Sequence, residues 1–168
     1  MASASTPQWK YDVFLSFRGK DTRDGFTSHL YDALLRNQIV TFIDYELGGG
    51  ESIEPGLLEK IEQSNISVVI FSKNYADSPF CLAELSKILE WKETKGQIVI
   101  PIFYQVDPTD VQELRGSFGD ALRIHEQNCS SDLISAEQRE SRLEEVRSWR
   151  RALTEIAKLK GWDSNVTK

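Results

Sequence analysis

Two short stretches carry the residues best equipped for chemistry. In SFRGKDTR, Arg18, Lys20 and Arg23 crowd together where a helical pattern begins. Guanidinium forks match phosphate oxygens, and a helix start offers unpaired N–H groups, so this stretch suits a phosphate. Its neighbours Asp21 and Asp24 support an equally good second reading, a solvated ion-pair cluster. In SPFCLAELSKI, an aromatic (Phe80) and a cysteine (Cys81) open a helix that carries Glu84 among Leu82, Leu85 and Ile88. That carboxylate either faces water on an amphipathic helix or points into a pocket; taken alone, the solvated reading is the better one.

Two further features are weaker. Gly48, Gly49 and Gly50 make a loop mobile enough to act as a lid, but they match neither phosphate-binding glycine fingerprint and read by themselves as a flexible turn. Cys81 and Cys129 are too few for a disulfide framework, and with only His29 and His125 beside them no zinc spacing arises. Cys81 reads more readily as a small buried hydrophobe than as a nucleophile, since no helper base is evident.

Elements must bring these residues together. Residues 11–17, 39–43, 66–71 and 98–104 are short apolar runs without polar alternation. Helical spacings separate them: Phe26, Leu30, Ala33 and Leu34; then Leu57, Leu58 and Ile61; then residues 78–93. Such an alternation predicts a parallel sheet covered on both faces and wound by right-handed crossovers, a doubly wound α/β domain. Pro101 inside the fourth run suggests an edge or bulge. Another helix is expected near Phe118 and His125. A long one starts near Ser135, with Leu143, Val146, Trp149, Leu153 and Ile156 on one face and Gly161 as its stop. In such sheets ligands bind at the carboxyl ends of the strands, where both chemical stretches fall; Ser72 closes the third strand there.

The 168 residues, 40% hydrophobic, suit one domain able to bury about two-thirds of its unfolded surface. A net charge of −6 argues against a dedicated nucleic-acid or anionic-membrane binder. The opening MASASTPQWK lacks an apolar segment and no run reaches membrane-spanning length, so a reducing, intracellular setting is expected. The sequons at Asn65, Asn128 and Asn165 then read as accidental.

The segments YDVFLSFRGKDTRDGFTSHLYDAL, FSKNYADSPFCLAELSKI, VIPIFYQVDPTDV and WRRALTEIAKLKGW resemble the plant TIR domain, the N-terminal module of TIR-type nucleotide-binding, leucine-rich-repeat disease resistance proteins. The likeness runs over residues 10–162, leaving tails at 1–9 and 163–168. It implies a flavodoxin-like fold of five parallel strands with helices on both faces, one strand more than the apolar runs supply. The sequence offers residues 132–135 (DLIS) for it.

For function, the resemblance implies self-association and hydrolysis of NAD⁺ or NADP⁺ to nicotinamide and ADP-ribose-type products that trigger defence and cell death. Glu84 takes the place of the family's catalytic glutamate. Arg18, Gly19 and Arg23 take its phosphate and ribose contacts, with Ser72 beside the substrate. Phe80 stands where members commonly carry tryptophan, which weakens ring stacking by about 1 kcal/mol or less. The lid lacks the usual basic residue, since Leu47 leads straight into Gly48. Ser28 and His29 mark one self-association surface, and Gly161 belongs to a second. The resemblance implies no cofactor and no metal, with the dinucleotide as substrate, other TIR domains as partners, and a location in the cytoplasm, the nucleus being the second option. A non-catalytic TIR–TIR scaffold is the alternative, favoured by the altered lid and by Phe80.

Overall fold

The computed structural model describes residues 9–43, 55–128 and 135–164. One parallel sheet runs in the order β2-β1-β3-β4-β5, the flavodoxin-like order. Its strands are β1 Tyr11–Ser16, β2 Thr41–Phe42, β3 Ser64–Phe71, β4 Ile98–Phe103 and β5 Trp162–Asp163. The helices are α1 Gly19–Thr22, α2 Phe26–Arg36, α3 Pro55–Glu62, α4 Pro79–Lys95, α5 Pro108–Gln112, α6 Gly116–Asn128 and α7 Ala136–Ala157, with a 3₁₀ turn at Tyr75–Asp77. The four apolar runs become β1 to β4, with ends shifted by a residue or two.

Successive strand residues point to opposite faces of the sheet. Phe14, Val69, Phe71, Val99 and Phe103 enter the larger core, where α3 to α7 supply Ile61, Leu85, Phe118, Trp149 and others. Val13, Leu15, Val68, Ile70 and Ile102 enter a smaller one, capped by Phe26, Leu30 and Leu34 of α2. Coverage is uneven. On that second face Ile98 and Ile100 keep 51% and 36% of their surface exposed, and Trp162 keeps 37%.

The fifth strand lies elsewhere than expected. Trp162 pairs with Ile102 and Asp163 with Phe103, after the last helix. Ser135, the end of the DLIS segment, is instead the N-cap of α7 in a capping box with Gln138, and the rest of that segment falls outside the described residues. A two-residue strand has no periodicity to read. Pairing also passes the expected boundary at 162, since Ser164 N–H donates to Phe103 O.

Gly161 is not the stop of α7, which ends at Ala157 with Lys158 as a right-handed cap. Its role is a close approach: a Cβ there would lie 2.0 Å from the Pro101 carbonyl oxygen. Pro101 itself sits one residue before β4 gains its second neighbour, so the expected edge position is a local one. Gly161→Ala is expected to cost about 1–3 kcal/mol through forced separation of β5 from β4. A thermal melt checks this; an unchanged midpoint would show that the backbone yields freely.

Helix α4 carries Phe80, Cys81 and Glu84, so its start and its register decide where those side chains point. Ser78 caps it, accepting from Cys81 N–H at 3.2 Å, and Pro79 occupies its first turn, where no N–H is needed. Gly96 ends it in the left-handed conformation (φ 70°).

Candidate active site

The strand order reverses between β1 and β3, and open α/β sheets bind ligands in the crevice outside that switch point. A cavity of about 450 Å³ lies there. Arg18, Gly19 and Arg23 line one side, on the segment leaving β1, and Ser78, Phe80 and Cys81 line the other, at the head of α4. Two stretches far apart in sequence thus share one wall-to-wall space.

The cationic side is built from side chains more than from a helix dipole, because α1 is a single turn of 4 residues. Arg18 is shared with Asp77, whose carboxylate stands 3.7 Å from it and 3.8 Å from Lys20. Arg23 has no ion pair among the described residues, and the buried Nε atoms of both arginines lack a hydrogen-bond partner. The Arg23 guanidinium lies across Gly19, where a Cβ would come within 2.6 Å of its Nη2. Glycine here makes room for a side chain.

Asp21 does not form the ion-pair cluster that its arginine neighbours suggest. Its Oδ2 accepts from Ser72 Oγ (2.5 Å) and Asn74 N–H (2.8 Å), and its Oδ1 from Asn74 Nδ2 (2.8 Å). Burial pushes its carboxyl up, but these bonds and the Arg18 charge together hold it below the usual carboxylate range. Ser72 thus has a structural partner of its own. It is 2% exposed and commits its hydroxyl to Asp21, and like Glu84 it stands behind the cavity lining.

Glu84 is 2% exposed, which overturns the solvated reading. On a helical wheel, residues 81, 84, 85 and 88 occupy one narrow arc, and Cys81, Leu85 and Ile88 are all buried. That spacing was the available signal. Glu84 is not itself on the cavity wall; Cys81, one turn earlier on the same face, is. The Cys81 thiol feels both charges. Burial pushes it up to about 12, Glu84 adding to the rise, while the Ser78 bond and Arg18 oppose it. Arg18 and Glu84 therefore act on one atom, at the boundary between cavity and core.

That thiol also ties the elements together by donating to Phe17 O at 3.5 Å, beneath a buried Ser16–Tyr75 hydroxyl pair at 2.7 Å. Burial likewise drives the Tyr75 phenol well above its ordinary value, with Cys81 and Glu84 contributing. Both groups have folded values above their unfolded ones. Their contribution to stability is whole below about pH 8.5 and drains away as pH climbs towards 12. The melting midpoint is expected to hold from pH 7 to 8.5 and fall steadily above about 9. In a Cys129→Ser background, native Cys81 should label with a disulfide reagent on the order of a thousandfold more slowly than a peptide thiol. Rapid labelling at neutral pH would contradict both expectations.

The other expected residues fall in three places. Phe80, 9% exposed, lines the cavity. Ser28 and His29 ride on α2 away from the cavity lining, half-buried and exposed respectively. Gly48, Gly49 and Gly50 lie outside the described residues. Among the described residues no cluster of acidic, histidine or cysteine side chains has metal-ligand spacing, and no helix is long and apolar enough to cross a membrane.

A family model described as "TIR domain" matches residues 10–168. The chain is 48% identical over 165 residues to the disease resistance protein RPV1 of Vitis rotundifolia, covering 96% of this chain and 11% of that protein. It is 46% identical over 168 residues to the TMV resistance protein N of Nicotiana glutinosa, covering 99% and 14%. It thus spans roughly a tenth of these relatives' length. Among solved structures, the TIR domains of the activated Roq1 resistosome, which directly recognizes the pathogen effector XopQ, superpose with a TM-score of 0.79 at 43% identity, covering 94% of this chain and 90% of that one.

Proposed function

The chain belongs to the TIR domain family, and from that premise we propose that it is the signalling module of a plant immune receptor, acting in cytoplasm and nucleus, that cleaves NAD⁺ or NADP⁺ when it self-associates. One observation carries the enzymatic part. A buried carboxylate, Glu84, stands one helical turn behind a cavity whose opposite side holds two arginines.

In this reading Arg18 and Arg23 grip the pyrophosphate as a two-fork clamp, and Phe80 stacks on a ring of the dinucleotide. The bond between the anomeric carbon and the pyridinium nitrogen breaks, and its electron pair goes to nitrogen. Nicotinamide departs neutral, so no general acid is required. This explains why one carboxylate suffices where ordinary glycosidases use two. Glu84 holds the ribose hydroxyls and stabilises the positive charge that grows on the sugar. Water then adds to the anomeric carbon and loses a proton, leaving ADP-ribose. Cys81 stays a thiol throughout, too weakly acidic to attack.

Self-association enters through Ser28 and His29 on α2, by analogy with the assembled TIR domains of the Roq1 resistosome. Gly161 has an intramolecular reason to be glycine, so it is a weaker marker of an interface. The competing reading, a scaffold without turnover, gains a structural observation beside the altered lid and Phe80: Asp77 is paired with Arg18.

Incubation of the protein with NAD⁺ across a concentration series separates the two. Nicotinamide release rising faster than linearly with protein concentration is the expected result. Absence of nicotinamide at every concentration, with assembly intact, leaves the scaffold alone.

A further inference from the structure

Arg18, Gly19 and Arg23 sit on a structure that should not stand by itself. Helix α1 is one turn long, far below the length at which a helix is stable in isolation, and its N-cap side chain makes no capping bond. Its internal bonds are few, among them Asp21 N–H to Arg18 O at 3.0 Å and Arg23 N–H to Gly19 O at 2.9 Å. On the far side, Thr22 and Thr27 hydroxyls meet at 2.6 Å and tie it to α2. Facing the crevice, its hydrogen-bonded tether is Asp21.

That tether spans the switch point. All three donors to Asp21 come from Ser72 and Asn74, on the segment that leaves β3, more than fifty positions away in the chain. Hydrogen bonds to an ionised acceptor are roughly twice as strong as neutral ones. Asp21 also borders the cavity, where a bare carboxylate would repel a phosphate. Here both of its oxygens accept from donors on the segment after β3, which stabilise the carboxylate and occupy the lone pairs that would otherwise face a ligand phosphate.

We propose that Asp21 is a positioning residue for the anion-binding arginines. It locks the α1 turn onto the segment after β3, so that Arg18 and Arg23 face the cavity as a fixed pair, with Ser72 and Asn74 as its dedicated partners. The inference rests on the cavity being an anion site, and it extends that reading to residues that need not touch the ligand.

The test uses the whole chain and inorganic pyrophosphate, titrated by NMR at neutral pH, with nicotinamide release measured in parallel. In Asp21→Asn an amide N–H₂ replaces an acceptor against existing donors. Pyrophosphate affinity is expected to fall about tenfold, KM for NAD⁺ to rise by a similar factor, and kcat to change less. Asp21→Asn with Ser72→Ala together should bind no worse than Asp21→Asn alone, because the two act as one unit. The milder Asn74→Ala keeps the backbone donor and should lose about two- to threefold; it serves if Asp21→Asn melts too low to assay.

Wild-type affinity in both Asp21→Asn and Asn74→Ala, with only a lowered melting midpoint, overturns the proposal in favour of a purely structural contact. A wild-type protein that binds no pyrophosphate overturns it as well. If the wild type binds pyrophosphate but releases no nicotinamide, the enzymatic reading fails while the affinity losses still uphold the clasp.

Discussion

Glu84→Gln is expected to slow NAD⁺ turnover by about 10²–10³-fold, the usual cost of removing one preorganised electrostatic partner of a developing charge, or roughly 2.7–4 kcal/mol. The amide matches the carboxylate in shape, so the buried arc of α4 keeps its packing with Leu85 and Ile88. What disappears is the negative charge that the proposed mechanism sets beside the sugar. KM should move little, because the proposed mechanism leaves the rest of the dinucleotide to the arginines and Phe80. Turnover within threefold of wild type, in protein that melts normally, would falsify the assignment of Glu84. A more drastic Glu84→Ala would also leave a void in a fully packed region, so glutamine gives the cleaner reading.

Arg23→Ala should act on the other half of the problem. Its guanidinium has no competing carboxylate among the described residues, unlike Arg18 with Asp77, so it is the better-prepared half of the clamp. A charge-assisted bond contributes about 1.5–3 kcal/mol, which predicts a rise in KM of roughly 10- to 150-fold with a smaller change in kcat. Gly19→Ala should reproduce part of that loss without touching Arg23 itself, since the added methyl displaces the guanidinium from its bed. The side chain is flexible, so the fold tolerates the shift and the melting midpoint stays near wild type. Were Gly19→Ala instead to unfold the protein and spare KM, the placement of Arg23 over the glycine would not matter to binding.

Most of the sheet was legible from residues, and the places where it was not have physical causes. The uniform apolar runs at β1, β3 and β4 announce strands of a covered parallel sheet, though the first half of β4 keeps one face open, and the order of helices between them dictates the winding. Trp162–Asp163 carries no such signal because two residues hold no period, and it is defined by pairing with Ile102 and Phe103. The short α5 escaped for a different reason. Its start rests on one cap, Asp107 accepting from Thr109 N–H, with Pro108 in the first turn, and its five residues are too few to show a face.

The site divides the same way. Arg18, Arg23 and Phe80 could be nominated from type and context, and they do line one cavity. The burial of Glu84 was readable from its place between Cys81, Leu85 and Ile88 on a wheel. Asp21's true partners were not, because Ser72 and Asn74 come from another strand's end. No local pattern encodes a contact of that range. The same limit hid the bond from Ser72 to Asp21.

The switch-point architecture has a consequence for biosynthesis. A nascent polypeptide exposes its arginine-bearing turn early, but the donors that fix that turn leave the ribosome some fifty residues later. Parallel strands so far apart register slowly, because a long intervening loop must close before any bond repays it. The first strand can pair with the second earlier, but its turn lacks the Asp21 tether until the third strand slots beside it. On the proposed reading, anion recognition is a late acquisition, and a fragment stopped short of Ser72 is expected to lack it.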